Sequence, residues 1–127
     1  MTKTADMVTD EEMAVYRATA RRQRRQERQE LRKRAERAKF AAQRAARLLK
    51  DKAGARRVIL FGSLARGELF HLRSDIDLAV EGIKSQDFWY AWAELDSLNS
   101  EFEIDLVHLE TAPPKLLLTL EREGVDL

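Results

Sequence analysis

The chain has 127 residues, 44% of them hydrophobic and 35% charged, and it contains no cysteine. That length favours a single domain with one modest core, and the missing cysteine excludes disulfides and thiolate metal sites. A net charge of +1 conceals a sharp asymmetry: residues 1–57 carry 18 Lys/Arg against 8 Asp/Glu, and residues 58–127 carry 5 against 14. Such a division predicts a basic N-terminal helical extension over residues 1–52 joined to an acidic body over residues 53–127. The basic half suits an acidic partner or nucleic acid, while an acidic body that handles anionic substrates needs cations of its own. No apolar run reaches the roughly 18–20 residues of a membrane span. The N-terminus also lacks the apolar segment of a signal peptide, so the expectation is a soluble cytoplasmic protein with no membrane contact.

Residues 1–8 carry no structural signal. Thr9-Asp10-Glu11-Glu12 then matches a capping box, with Thr9 as the cap and Glu12 reaching back. Neither glycine nor proline follows before Gly54, which predicts one helix from about Asp10 to Lys52, a rod of roughly 60 Å. Leu31, Ala35, Ala38, Ala42, Ala45 and Leu49 recur at alternating spacings of four and three, so they form one stripe for close packing. Phe40 is expected at the contact between this helix and the sheet. Upstream, Met13, Tyr16 and Ala20 make a shorter stripe out of register with the first. The run from Arg21 to Glu30 has no apolar face at all. It reads as an RNA-contacting arm, as a docking helix for an acidic partner, or as a solvated helix with internal pairs such as Glu27–Arg24 and Glu30–Arg34.

After Gly54 the pattern changes period. Residues 57–61 form an apolar strand, and residues 62–66 a tight turn with a helical start that Gly67 ends. Residues 68–73 form a loop that includes Phe70, His71 and Leu72. A second strand spans residues 74–80. Residues 85–98 form a helix with Phe88, Trp92 and Leu95 on one face. The third strand, residues 103–108, places Ile104, Leu106 and His108 on one face and Asp105 on the other. Thr111-Ala112-Pro113-Pro114 opens a last helix, in which Leu116, Leu117 and Leu120 point inward and which Gly124 stops. This order predicts an α/β (α+β) fold: a small mixed sheet with flanking helices behind a long basic helix.

Two short motifs carry the chemistry. Gly62-Ser63 follows the first strand, where a glycine lets the backbone approach phosphates and the serine adds a hydroxyl. Arg66, one turn later, can reach a phosphate oxygen. Asp75 and Asp77 leave one face of the second strand, and Asp105 joins them if the third strand pairs alongside. Three hard oxygen donors suit Mg2+ or Mn2+ rather than Zn2+, and two such ions can serve an in-line displacement at phosphorus. His71 lacks a partner at ligand spacing and is read as non-catalytic. His108 is read as a satisfied core or edge histidine, and Trp89 and Trp92 as core or partner surface. Phe70 and Leu72 are the candidates for contact with a base or a partner.

Phe61-Gly62-Ser63-Leu64-Ala65-Arg66-Gly67, followed by Ser74-Asp75-Ile76-Asp77-Leu78, resembles the signature of the DNA-polymerase-β-like nucleotidyltransferases. Within that superfamily the sequence is similar to the minimal nucleotidyltransferase (MNT) antitoxins that pair with HEPN-domain toxins. Glu103-Ile104-Asp105-Leu106-Val107 resembles their third-carboxylate strand, and Thr111–Pro114 and Arg122–Val125 their C-terminal segment. The resemblance covers roughly residues 40–127 and leaves the basic helix before it unexplained.

The resemblance implies a nucleotidyltransferase fold over residues 53–127 and Mg2+-dependent transfer of AMP from ATP to a hydroxyl. In the antitoxin members that hydroxyl is a tyrosine of the partner RNase toxin, and the protein forms a hetero-oligomer with it. By motif position, Asp75, Asp77 and Asp105 are the catalytic and metal-binding residues, with Asp105 helping to deprotonate the acceptor. Gly62, Ser63 and Arg66 bind the nucleotide. Two rivals stand beside this reading: transfer to a small molecule or an RNA end, and a non-catalytic antitoxin that neutralises its partner by contact alone.

Overall fold

Thr9 starts the first helix by accepting the Glu12 backbone N–H on its hydroxyl at 3.1 Å, so α1 runs from Asp10 to Lys52 without a break. In the computed structural model, residues 8–67, 75–98 and 101–127 are described. The elements that follow are β1 (Arg57–Phe61), α2 (Ser63–Arg66), β2 (Ile76–Glu81), α3 (Ser85–Asp96) and β3 (Ile104–His108). A 3-10 turn (Leu109–Thr111), α4 (Pro114–Glu123) and β4 (Val125–Asp126) complete the chain. Ser74, together with the loop residues Phe70, His71 and Leu72, lies outside the described residues.

The strands form one mixed sheet in the order β3-β2-β1-β4. β1 is antiparallel to both β2 and β4, and β2 is parallel to β3. Alternation then divides the apolar side chains between two faces. Val58, Leu60, Ile76, Leu78, Val80, Ile104 and Leu106 face α1 and α3 and pack with Ala38, Ala42, Ala45, Leu49, Ala91 and Leu95. On the other face, Ile59 and Ala79 meet Leu120 of α4, with Phe61, Leu109 and Leu116 beside them. The alanines of α1 allow its backbone to sit close to the sheet, so the last turns of this helix belong to the same core as the strands.

Two expectations about side-chain placement do not hold. Phe40 is 62% exposed, because its position lies on the opposite side of α1 from Ala38, Ala42 and Ala45; its ring sits under the Arg44 guanidinium instead. Leu117 is 42% exposed, since only Leu116 and Leu120 of α4 turn towards the sheet. From Asp10 to Glu30, α1 makes no contribution to the core. It meets the body again where Arg37 binds Glu101 at 2.9 Å and the Arg34 guanidinium lies 4.7 Å over the Phe102 ring.

Two polar clips finish the body at the end of the sheet remote from Asp77. Arg57 binds Asp126 at 2.7 Å and so holds β4 against β1. His108 Nε2 lies 2.8 Å from the Ile83 carbonyl oxygen, and the Gly82 N–H donates to Glu110 at 2.8 Å. His108 is therefore a satisfied structural histidine. Among the described residues no helix is long and apolar enough to cross a membrane.

Candidate active site

The three aspartates are gathered by strand register. Phe61, the last residue of β1, lies opposite Asp77 of β2, and Asp77 lies beside Asp105 of β3 in the parallel pair. Asp75 stands one residue before β2, and its carboxyl is close enough to Asp105 for a carboxyl–carboxylate hydrogen bond. All three occupy the sheet face that α4 covers, beyond the small cluster of Ile59, Ala79 and Leu120. The reason is the two-residue period: Ile76, Leu78, Ile104 and Leu106 are drawn into the main core, so Asp77 and Asp105 must leave the other way.

Their environment is electrostatically costly. Burial, followed by the charges of Asp105 and Asp75, pushes Asp77 up to about 6, and Arg66 partly opposes that rise. Asp105 is raised as well, by desolvation at the sheet edge and then by the charge and hydrogen bond of Asp75. Carboxylates that raise one another in this way favour a cation between them. Among the described residues no three His, Cys, Asp or Glu side chains form a finished cage for a metal ion. The donor chemistry nevertheless fits a hard divalent cation: oxygen ligands only, on neighbouring strands, coupled by their charges.

Gly62 connects β1 to α2 at φ +80° and ψ −160°. A Cβ at this position would collide with the Asp77 carboxylate, so glycine is required both by the backbone conformation and by the close approach. The same contact brings the start of α2 against the central aspartate. Ser63 is half-buried as the first residue of α2. Arg66, the last residue of that helix, pairs with Glu123 at the end of α4, Nη1 to Oε2 3.3 Å, and its charge also acts on Asp77. All six residues expected from the sequence thus lie at one end of the sheet and in the turn beside it. Glu123 was not among those six; its only signal was membership of the C-terminal segment Arg122–Val125.

Comparison with known proteins agrees with this architecture. The family described as Polymerase beta, Nucleotidyltransferase matches residues 43–127. A crystal structure of a toxin–antitoxin with AMP-PNP is 30% identical, covering 67% of this chain and 70% of the other, with a TM-score of 0.55. A mutant of the toxin–antitoxin MntA-HpeT is 28% identical over 67% of this chain and 69% of the other, also at 0.55. The complex of tri-AMPylated Shewanella oneidensis HEPN toxin with MNT antitoxin is 26% identical over 70% of both chains, at 0.51. No curated protein matches the chain.

Proposed function

Since the chain belongs to the polymerase β nucleotidyltransferase family, and within it matches the MNT antitoxins of HEPN toxin pairs, we propose that it transfers AMP from ATP to a tyrosine hydroxyl of a HEPN-type toxin and so silences it. The observation that carries this reading is the in-register pair Asp77–Asp105, with Asp75 beside it and Gly62 pressed against Asp77. The relatives solved with AMP-PNP and with a tri-AMPylated toxin support the choice of nucleotide and acceptor.

Asp75, Asp77 and Asp105 would hold Mg2+, which when bound neutralises triphosphate charge and supports in-line displacement at phosphorus. The Gly62 backbone and the Ser63 hydroxyl hold the β- and γ-phosphates, with Arg66 adding a cation. The acceptor oxygen attacks the α-phosphorus and the bond to the β-phosphate oxygen breaks, so pyrophosphate leaves. The acceptor proton passes to Asp105.

The test uses the full chain, labelled ATP, Mg2+ and the candidate toxin protein. The expected result is a labelled toxin, with labelling lost in Asp77→Asn and Asp105→Asn. A double variant, Asp75→Asn with Asp77→Asn, that still neutralises the toxin at full strength would establish contact rather than chemistry as the mechanism. Label found on RNA or on a small molecule, with none on protein, would move the acceptor to another class.

A further inference from the structure

Arg66 stands between two acidic groups of different standing. One is Asp77, at the centre of the carboxylate cluster, on which the Arg66 charge acts. The other is Glu123, which it meets at 3.3 Å. Glu123 is held on a firm support. It closes α4, where the Gly124 N–H returns to the Leu120 carbonyl oxygen at 2.9 Å. A side chain at Gly124 would run into that carbonyl and into Ile59 of β1, so the end of α4 is pressed directly onto the central sheet. Arg66, by contrast, ends a single helical turn, whose own backbone gives it little purchase.

From this geometry we propose that Glu123 is a positioning residue for the nucleotide site. It anchors the Arg66 guanidinium at the rim of the carboxylate cluster, ready for a phosphate, and keeps it from folding onto the aspartates. The inference rests on the nucleotidyltransferase reading above, since it needs a triphosphate in that site. A guanidinium released from Glu123 can swing to the aspartates, on one of which, Asp77, its charge already acts. Paired with them, it would compete with the divalent cation and be lost to the phosphates. Glu123 itself touches neither nucleotide nor acceptor in this arrangement.

The test measures binding of a non-hydrolysable ATP analogue to the full chain by calorimetry, over a series of Mg2+ concentrations and without any toxin. Glu123→Gln should weaken analogue binding about two- to fivefold, the range of one partly exposed charge pair, and should raise the Mg2+ concentration needed for half-saturation. Glu123→Asp, which keeps the charge, should retain most of the affinity. In an Arg66→Gln background, Glu123→Gln should change nothing further. Unaltered binding in Glu123→Gln, or an equal loss with and without Arg66, overturns the positioning role. Absence of analogue binding by the unaltered protein would instead overturn the nucleotide reading itself, so the two failures are distinct. Should Glu123→Gln not fold, the comparison of Glu123→Asp with Arg66→Gln carries the same test.

Discussion

Asp77 shows at the residue scale how the candidate site works against stability. Its carboxyl is half-buried, faces two other aspartates, and titrates near 6 rather than 3.8. A carboxyl that binds its proton more tightly in the folded than in the unfolded chain makes ionisation work against folding. The cost is absent below about pH 4, grows between about pH 4 and pH 6, and is complete above that window. Without divalent metal, Asp77→Asn should therefore stabilise the protein at pH 7 by about 1–2 kcal/mol, after discounting for partial exposure. The gain should shrink as pH falls towards 4, and the same variant should lose nucleotide transfer. Thermal melts of both proteins in chelator across that pH range check this; a variant no more stable than the parent at pH 7 rejects it. The identity of these residues could be read in the sequence, because Gly62-Ser63 and Asp75-x-Asp77 are local patterns. Their mutual distance could not, since the contact of Gly62 with Asp77 and the pairing of Arg66 with Glu123 join residues 15 and 57 positions apart.

At the scale of elements, α1 combines two helices of different character in one continuous rod of 43 residues. Its last turns bury Ala38, Ala41, Ala42, Ala45, Ala46 and Leu49, whereas from Asp10 to Glu30 almost every residue is exposed. Leu49→Ala should cost about 3 kcal/mol, as expected for a fully buried leucine whose neighbours cannot collapse into the space. Arg24→Ala, on the exposed stretch, should stay within about 0.5 kcal/mol. Denaturant titration of the two variants decides the matter, and equal effects would contradict this division of the helix. The period of the buried stripe was legible because alanine and leucine recur at helical spacing. The two-residue β4 was not, because Val125-Asp126 is too short to show alternation, and its place comes from pairing with Ile59 and Leu60 and from the Arg57–Asp126 bridge.

For the whole molecule, the charge asymmetry becomes a spatial one: a basic rod leaves an acidic body that carries the aspartates at one end of its sheet. Removing residues 1–30 should leave that body folded, since among the described residues no buried core residue lies before Ala38 and the first to pack against the core is Ala35. A melting temperature that falls by more than about 8 °C, the shift worth roughly 1–2 kcal/mol in a domain of this size, would show that the rod supports the body after all. Sequence alone determined the kinds of element, the run of hydrophobic periods and the candidate residues of the site, because each depends on neighbours within a few positions. Only the tertiary structure decided that β2 and β3 run parallel with Asp77 beside Asp105, that Phe40 faces outward, and that the end of α4 meets Arg66. Those outcomes depend on which strand faces which, and that is settled by burial of the sheet as a whole rather than by any local pattern.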